Sequence, residues 1–178
     1  MLVSRYISSG LLAAFLATAV PCSAADKYTD ASVDDSGRLS IRTSDGRSVI
    51  LPKDRDQTGF DRIALSANGH AVGWVNLYPN CCTSYPIPLK LALYMDGKLH
   101  TFTGSELPIW RWNFTVDGER VAFEQETVHG GLGVHYELRD IVTERLVSEY
   151  NPPIGPDGQV LENQAVPQWV ADLNGKWH

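Results

Sequence analysis

The chain has 178 residues, a formal net charge of −6 and a hydrophobic fraction of 43%. That length makes one domain with a sizeable core. The acidic balance, with no basic cluster, excludes the electrostatic footprint of a nucleic-acid binder or of a protein drawn to anionic membranes.

Residues 1–25 read as a secretory signal. Arg5 supplies the positive start, residues 7–20 form an apolar run, Pro21 breaks it, and Ser23-Ala24-Ala25 places small residues at a cleavage site. The run is shorter than the ~20 residues of a spanning helix, so an uncleaved anchor is the weaker reading. A lipoprotein signal at Cys22 is weaker still, because Pro21 stands where such signals carry a small residue. Cleavage removes one basic and no acidic residue, and no second apolar run of spanning length follows. The expectation is a chain with no membrane span after signal cleavage, periplasmic or secreted.

Residues 26–178 are expected to form a single all-β domain. Short strands at 28–33, 38–43 and 48–51 make a half unit, separated by Asp34-Asp35-Ser36-Gly37 and Ser44-Asp45-Gly46-Arg47. The charged stretch 52–59, with Asp54, Arg55 and Asp56, reads as a solvated linker. A four-stranded unit follows over 60–103, with strands at 61–65, 71–78, 89–94 and 99–103. A second unit covers 109–150, with strands at 109–115, 120–127, 134–140 and 146–150. The tail 151–178 opens with Asn151-Pro152-Pro153-Ile154-Gly155-Pro156, which cannot join a sheet interior because proline lacks a donor and fixes φ. Within it, residues 167–173 predict a short helical turn that covers a sheet edge or face with Trp169, Val170 and Leu173.

The two units repeat. Ser66-Ala67-Asn68-Gly69-His70-Ala71-Val72-Gly73-Trp74 recurs 49 residues on as Thr115-Val116-Asp117-Gly118-Glu119-Arg120-Val121-Ala122-Phe123. Asn-Gly and Asp-Gly between alternating runs mark hairpins, since glycine takes the positive φ of a tight turn. A period near 45–50 with four strands per unit fits a β-propeller blade. The two stretches resemble the Ser-x-Asp-Gly-x-x-Val-Ala-aromatic signature of TolB-like, WD40-like propeller repeats. The first copy departs from it at Asn68 and Gly73. The resemblance implies propeller-blade-like antiparallel repeats over residues 60–150 and protein interaction at the cell envelope. About two and a half blades cannot close a ring alone, since propellers use four or more. The expected fold is therefore a single all-β domain of propeller-like sheets in an open or incomplete arrangement, which a homo-oligomer could complete, with a β-sandwich as the alternative.

Candidate chemistry sits on loops. Cys81 and Cys82 are adjacent in the longest insertion, residues 78–88, which also holds Tyr78, Tyr85 and three prolines. A disulfide between neighbours is strained, because their Cα atoms are ~3.8 Å apart across a trans peptide, below the usual lower limit for the bond. A stiffening disulfide, reduced or intermolecular thiols, and a metal or redox role are the competing readings. The glycine-rich stretch 129–133 with His129, and His135 after it, occupies the equivalent place in the second unit. It lacks the following helix of a phosphate cradle, and its two histidines lack a third metal ligand. Glu124 and Glu126 stand on one strand face, ~6.6 Å apart along it, and read as a solvated polar face rather than a glycosidase pair. Trp110 and Trp112 read as core, with a stacking platform as the minor alternative.

The sequence therefore predicts an exported, non-catalytic binding module. Its expected binding residues are Tyr78, Cys81, Cys82, Tyr85, Trp110, Trp112, His129 and His135. An envelope protein, a peptide or a glycan is the expected partner, with no cofactor and no metal. The alternative is an envelope hydrolase or a thiol-redox protein using Cys81-Cys82.

Overall fold

A computed structural model of the chain describes residues 27–104, 107–129, 133–156, 161 and 165–175. The expected signal segment lies outside these residues, as do residues 130–132 of the glycine-rich stretch and 157–160 of the tail. The described chain is all-β with one terminal helix. Strands β1 (Tyr28–Val33), β2 (Leu39–Thr43) and β3 (Ser48–Leu51) form a first sheet. Strands β4 (Gly59–Leu65), β5 (Ala71–Tyr78), β6 (Ile87–Met95) and β7 (Lys98–Thr103) form a second. Strands β8 (Ile109–Phe114), β9 (Arg120–Gln125), β10 (His135–Asp140) and β11 (Leu146–Tyr150) form a third, and helix α1 spans Gln168–Gly175.

Every sheet is an antiparallel meander in sequence order. The three are blade-like and do not close into a ring. Single-residue alternation decides how they stack. In β5, Val72 and Trp74 point to the first sheet and pack with Tyr28, Leu39, Ile41 and Leu51. Ala71 and Val75 point the other way, into a core with Ile109, Trp112, Phe114, Val121 and Phe123 of the third sheet. Successive side chains of a strand face opposite ways, so one strand serves two cores. The repeat partners of Val72 and Trp74 are Val121 and Phe123, and they too point to the preceding sheet. The outer face of the third sheet is covered by α1, whose Val170 and Leu173 are buried against Tyr136. The apolar helical face predicted for the tail thus occupies the place of a next blade.

Antiparallel order sorts the connections by end. The tight turns at 66–70, 96–97, 115–119 and 141–145 lie at one end, beside the β2–β3 turn. The main-chain bond from Tyr28 N to Gly69 O (2.7 Å) brings the first sheet into line with the second, and that from Ser44 N to Lys27 O (2.7 Å) sets the β2–β3 turn beside the same end of β1. The other end carries the loops 52–58 and 79–86, the described residues of the β7–β8 and β9–β10 connections, and the 34–38 turn.

Three of the turns at this end share one chemistry. Thr115 Oγ1 donates to Asp117 Oδ1 (2.6 Å), which also accepts from Glu119 N (3.0 Å). Ser66 Oγ and Asn68 Oδ1 (2.8 Å) repeat this with His70 N (3.0 Å). Thr43 Oγ1 and Asp45 Oδ1 (2.5 Å) repeat it again with Arg47 N (3.2 Å). A short polar side chain that bonds the backbone two residues on holds each turn, and the following glycines take φ of 73°, 74° and 87°.

Candidate functional site

The loop end of the second sheet is organised by Asp54. Its Oδ2 accepts from Lys90 Nζ (2.5 Å), from the Tyr78 hydroxyl (2.8 Å) and from Asn76 Nδ2 (3.4 Å). Asn76 is buried, and its Oδ1 accepts from Trp74 Nε1 (2.7 Å). A line of polar contacts therefore runs from the core indole of Trp74 to the surface. Asp54 is held in place by its own loop, where its N–H donates to Gln57 Oε1 (2.9 Å) and Gln57 Nε2 donates to Gly59 O (2.8 Å). The stretch expected as a solvated linker is thus anchored at this residue.

The charges reinforce one another. Hydrogen bonds from Lys90 and Tyr78 hold the Asp54 carboxyl below its ordinary range. Asp54 in turn raises the Lys90 ammonium. Burial, and then the bond to Asp54, raise the Tyr78 phenol. Each shift moves its group away from neutral pH, so the three keep fixed protonation states there. The arrangement is a clamp at the root of the 79–86 loop. Beside it lies a shallow cleft of about 460 Å³ lined by Asp54, Arg55, Tyr78, Leu89, Lys90 and Thr103.

The loop beyond the clamp is exposed. Cys81 and Cys82 are both free and exposed, with their sulfurs 2.7 Å apart. Asn80 Oδ1 accepts from Cys82 N (3.2 Å), Asn80 Nδ2 donates to Thr83 Oγ1 (3.1 Å), and Thr83 Oγ1 donates to Tyr85 O (2.6 Å). Tyr85 is 48% exposed.

The third sheet carries a second polar cluster at the same end. Glu137 is buried, and its carboxylate accepts from Gln125 Nε2 (2.9 Å) and from Arg139 Nε (2.6 Å). His135 lies 3.3 Å from the same carboxylate through Nε2 and 2.7 Å from Asn151 Oδ1 through Nδ1. His135 is thus bound into this network and ties it to Asn151 at the start of the tail. His129 is exposed at the edge of the described loop. Among the described residues, no three His, Cys, Asp or Glu side chains converge to hold a metal ion.

The two tryptophans separate. A bulge between Ile109 and Arg111 interrupts the β8 register at Trp110. Trp110 is half-buried and donates from Nε1 to Glu126 O (2.9 Å). Trp112 is 2% exposed and donates to Arg62 O (3.1 Å) in the second sheet. Arg62 takes a positive φ of 51° inside a bulge of β4. That conformation is uncommon for a side chain with a Cβ. Trp112 is therefore enclosed between sheets, and Trp110 alone retains a solvent edge.

Glu124 is not on a solvated face. It is 5% exposed, 3.5 Å from Arg111 Nε and bonded by Tyr136. Arg111 Nη1 also donates to Asn174 Oδ1 of α1 (3.1 Å). Burial raises the Glu124 carboxyl, and burial with the Glu124 charge pushes the Tyr136 phenol up to about 12. The tail helix encloses this carboxylate, whereas Glu126 lies beyond the end of β9.

Of the predicted site residues, the structure brings Tyr78, Cys81, Cys82 and Tyr85 together on one loop. His129, His135 and Trp110 lie at the same end on the neighbouring sheet. The residues missed were Asp54, Asn76, Lys90, Gln125 and Glu137. One signal was present: Asn76 and Gln125 are 49 residues apart, each a polar residue where the repeat's alternation calls for an apolar one.

No family model and no curated protein matches the chain. Among solved structures, the chain is similar to Pyrococcus horikoshii acylaminoacyl peptidase, with a TM-score of 0.42 and 9% sequence identity. The superposition covers 72% of this chain and 25% of that one, so the chain spans about a quarter of that protein's length.

Proposed function

We propose that the protein is an exported, non-catalytic binding module of the TolB-like kind that engages an envelope protein, peptide or glycan through its loop end. The observation that carries this reading is the sorting of connections. Short turns make the connections at one end, whereas the other end carries the longer loops 52–58 and 79–86 beside a single tight, self-bonded turn at 34–38. Loops carried on a rigid scaffold are where binding residues concentrate. The Asp54–Tyr78–Lys90 clamp holds the base of the 79–86 loop and leaves Tyr85 projecting.

The test compares the two ends. A photo-crosslinking amino acid replaces Tyr85 at the loop end or Val142 at the turn end, in cells of the native host. Val142 is the more exposed of the two, at 67% against 48%. Discrete adducts from Tyr85 and none from Val142 are expected. Equal crosslinking at both sites, or none at either, overturns the reading.

A further inference from the structure

Cys81 and Cys82 have no part in the fold's three cores. Both side chains are exposed, and the loop around Asn80 curls so that two consecutive side chains share one side of the chain, sulfurs 2.7 Å apart. The chain has only three cysteines, and the third, Cys22, stands in the expected signal segment. We propose that Cys81 and Cys82 form one reversible dithiol–disulfide site on the loop end, oxidised by exchange with a disulfide-bearing thiol compound or protein.

The reaction is balanced within the pair and its oxidant. One cysteine thiolate attacks a sulfur of the disulfide RSSR, forms a mixed disulfide and releases RS⁻. The neighbouring thiolate then attacks the cysteine sulfur of that mixed disulfide and expels the second RS⁻. The new bond is Cys81 Sγ–Cys82 Sγ. The two thiol protons end on the two released thiolates, and RSSR is reduced to two RSH. Ring closure needs no partner chain, because the second nucleophile is already in contact with the first. The hydrogen bond and charge of Cys81 raise the Cys82 thiol above its ordinary range. Reversibility follows from adjacency in the chain. Neighbouring Cα atoms stand ~3.8 Å apart, closer than an unstrained disulfide permits. Strained and exposed disulfides are the labile ones, whereas unstrained structural ones resist reduction by the glutathione pool. The site is independent of whether the loop end binds a partner.

The test uses the full chain carrying Cys22→Ser, equilibrated in buffers of graded oxidised-to-reduced glutathione ratio. Acid quenching, alkylation and intact mass then count free thiols. The expected result is a single transition in which both alkylatable thiols disappear together. The oxidised product is a monomer two hydrogens lighter than the dithiol, and reduced glutathione restores it. Cys81→Ser and Cys82→Ser, each made separately, are expected to accumulate a one-glutathione adduct that the intact pair does not hold. Retention of both thiols at every ratio, a persistent adduct on the intact pair, a covalent dimer, or no adduct on either single variant overturns the proposal.

Discussion

The side-chain amide of Asn68 donates to the main-chain carbonyl of Asp117 at 3.1 Å, joining two residues that hold the same place in successive repeats. Asn68 Oδ1 also performs the local task that Asp117 performs in its own turn, accepting from Ser66 Oγ and His70 N. The departure from aspartate at this position thus adds a bond between blades without giving up the turn. Asn68→Asp keeps the local acceptor but replaces the donor with a carboxylate facing a carbonyl. It is expected to lower the unfolding free energy by about 1 kcal/mol, the scale of one hydrogen bond. Urea titration measures this, and Asp117→Asn serves as the comparison, with a smaller expected effect because its side chain reaches no neighbouring blade carbonyl.

The second departure from the repeat signature, Gly73, is explained by Trp112. A Cβ built on Gly73 stands 2.5 Å from Leu93 Cδ2 and closer still to the Trp112 ring. Both neighbours are core residues with 2% exposure or less. Gly73→Ala is therefore expected to cost about 1–3 kcal/mol through overpacking. Pairing it with Trp112→Leu frees the space that the alanine needs, so the double variant should lose less than the sum of the two single ones. Additive losses in the cycle would show that the two positions do not share the space.

Much of this architecture was legible because it rests on local chemistry. Val72, Trp74, Val121 and Phe123 alternate with polar or small residues, and Asn68-Gly69 and Asp117-Gly118 fix the turns that precede them. The strands β1, β3, β5 and β11 coincide with those read from the sequence, and the others differ at their ends by one or two residues. The clamp was not legible, because Asp54 meets Lys90 across 36 residues and Tyr78 across 24. In a charged loop, nothing distinguishes the one aspartate with such partners from Asp56, which faces only Arg55 at 3.7 Å. Glu124 departs from the expected solvated face for a related reason. Strand alternation gives the face but not what covers it, and the cover comes from a helix more than 40 residues further on.

Asp54→Asn tests the clamp. The amide retains shape but loses the charge that Lys90 and Tyr78 share. Lys90 and Asp54 side chains are 27% and 39% exposed, so solvent screens the pair. The expected loss of global stability is therefore small, about 0.5–1 kcal/mol. The sharper readout is local: amide hydrogen exchange over residues 79–86 should accelerate while β5 and β6 keep their protection. Unchanged exchange in that loop would remove the clamp's role in holding it.

Glu124 gives the fold a pH signature. Burial raises its carboxyl above the ordinary 4.5, against the opposing pull of Arg111 and Tyr136. A carboxyl raised on folding favours the protonated native state, so its contribution to stability is complete below the unfolded value and declines as pH rises through the folded one. Asp34, Asp45, Asp54, Asp117 and Asp140 are shifted downwards and work in the opposite sense. They are common to wild type and Glu124→Gln, so they cancel in the difference between the two. That difference is expected to rise in favour of Gln as pH moves from acid to neutral, because Gln carries no charge to strand beneath α1. Urea midpoints of both proteins across that range measure it. A Gln variant that loses ground to wild type as pH rises would mean that Arg111, at 3.5 Å, outweighs the cost of enclosing the carboxylate under the tail helix.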